Sequence, residues 1–199
     1  PGGAGAAVSW QLGDNSPLTL RALYVAADAN IPDGNEIGGL FGDRNQGSVE
    51  LEYAFSKNVI ARLQYTSATV NRTAVNAGGF NFEWLINRQL AAFGRFGFGS
   101  YNGFNSVLRR DLDLTPFTWA VGGTIRDIVI PGSVAGLAIG QPFIESGLGD
   151  ATQLNVEGYY SFEFNENLSI SPAFLIMANP NNRSTGTIFE WVLRLGYNF

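Results

Sequence analysis

The chain has 199 residues, no Cys, no His and a formal net charge of −5, from 12 Lys+Arg against 17 Asp+Glu. These counts exclude a disulfide framework, a thiolate or imidazole catalyst and any metal held by Cys or His, and they argue against nucleic acid, whose phosphates need a basic face. Charged residues make up only 15% and aromatic residues 13%, whereas about a quarter of a soluble domain is charged. No cofactor is expected.

An alternation of apolar and polar residues recurs along the whole chain and predicts β-strands, because successive side chains of a strand point to opposite faces. In residues 152–164, Leu154, Val156, Phe162 and Phe164 alternate with Gln153, Asn155, Glu157, Ser161 and Glu163. Eleven strands are predicted, in chain order, at 7–13, 18–27, 47–56, 59–71, 79–86, 90–101, 115–126, 134–143, 152–164, 168–178 and 187–199. The pattern is weakest at 79–86, where a short helix over 82–92 is the alternative.

The predicted connections alternate between short and long. Short, turn-rich segments lie at 14–17, 56–58, 87–89 and 165–167, whereas 28–46, 72–78, 102–114, 144–151 and 179–186 are longer and rich in Gly, Asn and Asp. Only the connection 127–133 does not fit this pattern clearly. Short turns at one end of the strands and long loops at the other are typical of outer-membrane barrels. The sequence therefore predicts an all-β, antiparallel transmembrane β-barrel.

The two faces of the predicted strands support a membrane location. One face carries Phe, Trp, Tyr, Leu and Val, and the other carries Arg, Glu, Gln, Asn, Ser and Gly. A barrel with a polar lumen and an apolar exterior is stable only in lipid. Eight aromatic residues are candidates for interfacial girdles: Trp10, Tyr24, Tyr53, Tyr65, Trp84, Trp119, Trp191 and Tyr197. The alternative is a soluble all-β module that binds ligand on its polar face.

The polar face supplies the candidate pore lining, since channel selectivity depends on pore width and lining charges. The candidates are Arg21, Glu50, Glu52, Arg62, Glu83, Arg95, Tyr101, Arg126, Glu157, Tyr159, Glu163, Glu190 and Arg194. A three-residue turn at 56–58 would place Glu52 opposite Arg62. Glu157 and Glu163 are roughly 20 Å apart by strand rise, too far for a glycosidase carboxylate pair, so that no enzymatic activity is expected.

The predicted loop 102–114 carries four charges, Arg109, Arg110, Asp111 and Asp113. It is a candidate constriction loop, and Asp111 with Asp113 is a candidate cation site. The alternative is a solvated exterior loop.

The C-terminal strand resembles the signal by which the bacterial barrel-assembly machinery recognises its clients. It ends on Phe199, with Tyr197 and Trp191 at alternate positions before it. If this end is periplasmic, an odd number of strands leaves the first residue outside the cell, whereas bacterial single-chain barrels have both ends inside. We therefore expect one domain over 1–199 that is the C-terminal portion of a longer barrel, with its N-terminal strands missing.

Several short motifs follow one another through the second half of the chain. They are Phe93-Gly-Arg-Phe-Gly97, Thr115-Pro-Phe-Thr-Trp-Ala-Val-Gly122, Ala135-Gly-Leu-Ala-Ile-Gly-Gln-Pro142, Glu157-Gly-Tyr-Tyr-Ser-Phe-Glu-Phe164, Leu168-Ser-Ile-Ser-Pro-Ala-Phe174 and Asn179-Pro180. Together they resemble the carbohydrate-selective (OprB-type) porin family, especially its cyanobacterial "iron uptake" branch. The resemblance implies a barrel of roughly 16 strands. It also implies an N-terminal wall-binding (SLH) region and a linker, which are absent from these residues.

The resemblance implies passive diffusion of small hydrophilic solutes, either inorganic ions or sugars, through the outer membrane of a Gram-negative-type, cyanobacterial cell. The scarcity of inward aromatics, with Tyr101 and Tyr159 as exceptions, favours ions or unselective passage. The expected partners are outer-membrane lipid, the assembly machinery and the solutes. A homotrimer is left open, and nucleic acid is not expected.

Overall fold

A computed structural model describes residues 2–31 and 38–197 of the chain. Within these residues the protein consists of antiparallel β-strands and one short 3₁₀ turn, Pro180–Asn182. The strands are β1 Ala4–Gln11, β2 Leu18–Ala26, β3 Asn45–Ser56, β4 Val59–Val70, β5 Thr73–Leu85, β6 Leu90–Asn105, β7 Arg110–Leu114, β8 Phe117–Arg126, β9 Val134–Ile144, β10 Leu154–Glu163, β11 Leu168–Ala178 and β12 Thr187–Tyr197. Within residues 2–31 and 38–197, no helix is long and apolar enough to cross a membrane.

The strands follow one another in space in the order of the sequence. The order is β1-β2-β3-β4-β5-β6-β8-β9-β10-β11-β12, and β7 also pairs with β6. β7 is the strand that the sequence did not predict, so the described residues contain twelve strands rather than eleven. Thr115 and Pro116 separate β7 from β8, and Pro116 cannot donate a backbone hydrogen bond to a neighbouring strand. The prediction of an all-β, antiparallel architecture is confirmed.

The chain divides into two compact units. Unit 1 comprises Pro1–Asn81 and Gly97–Pro116, and unit 2 comprises Phe82–Phe96 and Phe117–Phe199. Within unit 1, β1 to β4 pair in continuous register, and one of its apolar rows is Trp10, Leu20, Leu51 and Leu63. Within unit 2, β8 to β12 do the same, and one apolar row is Val121, Ile139, Val156, Ile176 and Phe189. The alternation seen in the sequence thus produces one apolar and one polar face in each unit.

The described residues contain almost no apolar core. Ala26 and Leu112 are the buried hydrophobic residues among them, and both belong to unit 1. Large apolar side chains are exposed instead, and Trp10 and Trp191 are 61% and 77% accessible. A soluble sheet buries its apolar face against another layer, because that burial is the main favourable term in folding. The apolar faces of this protein need a different apolar environment.

The predicted start of β5 and the predicted loop before it are wrong. The strand was predicted over 79–86 but runs from Thr73 to Leu85. The alternative helix over 82–92 does not form, because this strand and β6 occupy most of those residues. The predicted loop 72–78 is replaced by a two-residue turn at Asn71 and Arg72, whose φ angles are 53° and 66°. Positive φ at both central residues is the geometry that matches the twist of a hairpin, and Asn tolerates it well.

The predicted loop 102–114 is also wrong, because most of it is strand. β6 extends to Asn105, and a four-residue turn follows. β7 then pairs with β6, so that Arg110 lies opposite Asn105 and Leu114 lies opposite Tyr101. Connections at the predicted long-loop end therefore contain 18, 2, 4, 9 and 8 residues, against 6, 2, 4, 7 and 4 at the other end. The predicted sorting of loops by length holds for three connections and fails at the two hairpins.

Candidate functional site

Four charged side chains form a network on the polar face of unit 1. The strand register places Arg21 opposite Glu50 and Glu52 opposite Arg62. The Arg21 Nη1 donates to a Glu50 carboxylate oxygen at 2.7 Å and to Glu52 at 3.0 Å, and the Arg62 Nε donates to Glu52 at 2.7 Å. The predicted pairing of Glu52 with Arg62 is confirmed. Sequence reasoning missed the link to Arg21, since it crosses from β2 to β3 over an 18-residue connection.

This network is balanced in charge and remains hydrated. Two guanidinium groups face two carboxylates, and the side chains of Arg21 and Glu52 are 40% and 15% exposed. A shallow groove of about 360 Å³ runs along the same face and is lined by Ser9, Ser48, Gln64 and two members of the network. The groove therefore presents hydrogen-bonding groups to water, while the paired charges beside it largely cancel.

The polar face of unit 2 presents its charges in rows. One row carries Glu157 on β10 and Glu190 on β12, which flank Leu175 on the strand between them, β11. A second row carries Arg126 and Arg194 at its ends, and Ser161 and Ser171 between them share a hydrogen bond of 2.7 Å. The rows are four residues apart along their strands, roughly 13 Å by strand rise. An acidic and a basic band therefore face the same side.

Tyr159 occupies the row between these two bands. It lies directly opposite Gly136, and a Cβ at Gly136 would overlap its ring. The glycine thus lets the ring lie across the neighbouring strand while Tyr159 stays 39% exposed. An aromatic ring between acidic and basic groups is a surface against which the apolar side of a polar solute can pack.

Phe93 is an aromatic residue on this face that sequence reasoning did not select. A Cβ at Gly122 would lie 2.7 Å from the Phe93 ring, and Gly122 shares the row of Glu157. The guanidinium carbon of Arg95 lies 5.5 Å from the centroid of that ring, within the range of a cation–π contact. Phe93 and Arg95 are two residues apart on β6, a spacing that could have indicated their common face.

The other predicted lining residues lie as follows. Glu163 is opposite Ser169 near the end of β10, and Glu83 alternates with Phe82 and Trp84 on β5. Tyr101 lies opposite Leu114 on the β6–β7 hairpin. Their role in lining a pore stays a prediction.

The candidate constriction residues lie on the same hairpin. Arg109 closes the turn with a φ of 53°, and Arg110 begins β7. Asp111 and Asp113 are exposed and flank the buried Leu112. No group of three or more His, Cys, Asp or Glu side chains that could hold a metal ion occurs in residues 2–31 and 38–197. The constriction and the cation site stay predictions.

Several aromatic residues of the apolar faces have hydrogen-bond or ring partners. The Trp119 Nε1 donates to the Gln141 side chain at 2.8 Å, and the Tyr65 hydroxyl donates to the Asn76 side chain at 2.7 Å. On β12, Trp191 packs on Phe174 with their ring centroids 5.7 Å apart. Tyr197 lies on the same face as Trp191, whereas Phe199 lies outside the described residues. Amphipathic rings of this kind favour membrane–water interfaces.

Two connections of unit 2 are locked together. The side chain of Asn182, which is 6% exposed, accepts the Gln153 N–H at 2.8 Å and donates to the Phe143 carbonyl at 3.0 Å. The Ser184 N–H donates to the Asp150 carboxylate at 2.8 Å. Hydrogen bonds from the Ser184 backbone and side chain hold the pKa of Asp150 below its usual value. Segments 145–153 and 179–186 therefore form one clasp.

Comparison with known proteins agrees with this two-faced strand arrangement. The family model of the OprB carbohydrate-selective porins matches residues 1–199. The chain belongs to the OprB porin family. This OprB-family chain is 23% identical over 218 residues to the uncharacterized protein alr4550 of Nostoc sp., and 24% identical over 242 residues to the uncharacterized protein sll0772 of Synechocystis sp.. It covers 37% and 43% of those relatives, so it spans less than half of each.

Solved porin structures share the fold of the OprB-family chain. Pseudomonas aeruginosa OccK3 (OpdO) matches with a TM-score of 0.68 at 17% identity, over 99% of this chain and 59% of that one. Pseudomonas aeruginosa OccK11 (OpdR) matches with a TM-score of 0.64 at 14% identity, over 98% and 59%. At these identities the likeness establishes the fold, an outer-membrane porin barrel, and the predicted family and fold class are confirmed.

Proposed function

We propose that the chain forms part of the wall of a water-filled outer-membrane channel, through which small hydrophilic solutes pass by diffusion. The observation that carries this proposal is the contrast between the two faces. Each unit exposes large apolar side chains on one face and carries charged side chains on the other. Apolar residues cannot be left in water over such an area without cost, since each buried large side chain is worth about 1.5–3 kcal/mol. Lipid on the apolar side and water on the polar side satisfy both faces.

The soluble module is the weaker alternative. A soluble all-β domain needs an apolar core, and among the described residues that core consists of Ala26 and Leu112. The family and fold are those of channels, and channel selectivity needs lining charges rather than reactive groups. We therefore assign the chain no enzymatic role.

The polar face of unit 2 favours sugars among the solutes. The exposed ring of Tyr159 lies between rows that carry carboxylates and guanidinium groups. A pyranose has one apolar side that packs on such a ring and hydroxyls that reach hydrogen-bonding groups on either side of it. In unit 1 the charges are paired, which reduces any preference for the sign of an ion. This solute class differs from the ions that the sequence favoured.

The complete gene product, purified in detergent and reconstituted in phospholipid vesicles, provides the test. We expect it to need detergent for solubility, to raise vesicle swelling rates in iso-osmotic monosaccharide, and to give stepwise conductance in planar bilayers. Vesicles without protein and vesicles with heat-unfolded protein are the controls. Recovery of a folded monomer from the aqueous fraction, with no conductance, would overturn the proposal in favour of the soluble module.

The location and partners follow from the same proposal. The family and fold support the outer membrane of a Gram-negative-type cell, and the matched relatives in Nostoc and Synechocystis support a cyanobacterial one. We propose outer-membrane lipid as the environment of the apolar faces and the barrel-assembly machinery as the partner of β12. A homotrimer also remains a prediction, as does the proposal that the chain is the C-terminal portion of a longer barrel. Cross-linking of the native protein in its membrane measures the oligomeric state.

A further inference from the structure

The turn between β8 and β9 of unit 2, residues 127–133, carries a strained and exposed apolar tip. Val129 is 93% accessible and has a φ of 65°. The Ile130 N–H donates to the Ile128 carbonyl at 2.7 Å, so that Val129 is the centre of a γ-turn. Positive φ is costly for a β-branched residue and persists only where the surroundings determine it. The turn therefore keeps an apolar side chain exposed in a conformation that costs free energy.

The rest of the turn holds this tip in place. The Asp127 carboxylate accepts the Gly132 N–H at 2.8 Å, and the fully buried Ser133 hydroxyl donates to the Ile128 carbonyl at 2.7 Å. The N–H groups of Asp127 and Ser133 also have partners inside the turn. Pro131 has no N–H to satisfy. In an apolar environment, backbone N–H and C=O groups need hydrogen-bond partners within the protein, because no water is available to supply them.

The turn is tied to the apolar face of unit 2. The Tyr160 hydroxyl donates to the Ile128 carbonyl at 2.7 Å. Tyr160 lies opposite Ala135 in the row next to that of Ser161, on the face that carries Phe162. The hydrogen bond therefore ties the turn, with the exposed Val129 at its centre, to the apolar face beyond the ends of β8 and β9.

We propose that the tip formed by Val129, Ile130 and Pro131 is a lipid anchor, which inserts into the phospholipid interface at this end of the barrel. The inference rests on the proposed membrane-embedded function. The tip is apolar and exposed, is tied to the apolar face through Tyr160, and is held by hydrogen bonds within the turn, so lipid is the occupant that fits it. Interfacial anchors bind through buried apolar area in this way.

The absence of cysteine from the chain makes a single-probe experiment possible. The complete gene product, with any Cys outside residues 1–199 replaced by Ser, is labelled at Val129→Cys with an environment-sensitive fluorophore in phosphatidylethanolamine–phosphatidylglycerol vesicles. Leu193→Cys, on the apolar face of β12, reports whether the strands are in lipid. Glu166→Cys, in the exposed turn 164–167 at the same end of unit 2, is the aqueous control. Ile130→Cys is a second tip probe in case the first disturbs the strained turn.

We expect brominated lipid to quench the Val129 and Leu193 labels, and aqueous iodide to quench the Val129 label at least about threefold less than the Glu166 label. If both tip labels behave like the Glu166 label while the Leu193 label reports lipid, the anchor is wrong and the channel proposal stands. Protection from both quenchers would mean that protein covers the tip, which also overturns the anchor. If the Leu193 label reports water, the membrane-embedded function itself fails, and the anchor fails with it.

Discussion

Glu52 accepts the Arg62 Nε–H at 2.7 Å directly across the β3–β4 hairpin, and the same carboxylate oxygen accepts a hydrogen bond from Arg21 at 3.0 Å. One carboxylate thus binds two guanidinium groups on the polar face of unit 1, where the side chains remain partly exposed. Removing it changes the local charge balance more than the stability, because exposed ion pairs contribute only about 0.2–1 kcal/mol each.

Glu52→Gln should shift the channel toward anions. The network then carries two guanidinium groups, Arg21 and Arg62, and the single carboxylate of Glu50. We expect the cation-to-anion permeability ratio to fall by a factor of about 2 to 5, the effect of up to about 1 kcal/mol in water. Reversal potentials across bilayers with a salt gradient measure this ratio.

The matched control for that substitution keeps the charge balance. Glu52→Gln combined with Arg62→Gln removes one charge of each sign, and its permeability ratio should return close to that of the native protein. An equal shift in the single and double variants would contradict an electrostatic role for the network.

Tyr159→Ala should reduce sugar flux and spare small ions. The ring supplies packing surface, so we expect monosaccharide swelling rates to fall several-fold while KCl conductance stays equal or rises. Tyr159→Phe keeps the ring and should retain the flux. Gly136→Ala should act like Tyr159→Ala, because its Cβ overlaps the space of the ring. Unchanged sugar flux in Tyr159→Ala would rule out the stacking role.

Asn182→Ala should open the clasp between segments 145–153 and 179–186. The variant loses two part-buried side-chain hydrogen bonds, each worth about 1 kcal/mol, and so removes the contacts of Asn182 with the Gln153 N–H and the Phe143 carbonyl. We expect the free energy of local opening to fall by about 2–3 kcal/mol, measured by hydrogen exchange of both segments. Asn181→Ala is the matched control, since Asn181 has a similar φ of 57° and is exposed. Equal effects of the two substitutions would show that backbone strain alone sets the opening.

The same clasp should weaken in acid. Hydrogen bonds from Ser184 lower the pKa of Asp150 in the folded protein. A lowered pKa means that the carboxylate adds stability above the unfolded value, about 3.9, and that this stability is lost as the pH falls through the folded value. Protection factors of segment 179–186 should therefore be constant between about pH 5 and 7 and fall at lower pH. Asp150→Asn should reduce this dependence, and an identical acid response in that variant would exclude Asp150 as its source.

Strand positions were predictable wherever alternation was regular. The 187–199 pattern led to β12, and the 56–58 turn led to the Glu52–Arg62 pair, since a tight hairpin fixes its own register. The β6–β7 hairpin was missed because Arg110, Asp111 and Asp113 have the composition of a loop. Their pairing with β6 satisfies the backbone, and tertiary context overrides composition there.

Contacts between strands joined by long connections were beyond the sequence. Nothing local specifies that Arg21 faces Glu50, because the β2–β3 register depends on the whole ladder. The same holds for the rings of Tyr159 and Phe93, whose placement depends on glycines of neighbouring strands, Gly136 and Gly122. The connection 127–133 was predicted between two strands, as the structure has it, but its apolar run Ile-Val-Ile did not indicate that Val129 would be exposed at a tight turn.

The consecutive order of the strands bears on how such a barrel changes in evolution. Each strand from β2 to β6 and from β9 to β12 lies beside its predecessor. The connections β3–β4 and β4–β5 contain only two residues each. A duplicated or deleted hairpin would therefore insert or leave as a unit, without rerouting any other connection. Barrel diameter grows with strand number, so the gain or loss of a gene segment that encodes one hairpin would widen or narrow the proposed pore by a fixed step.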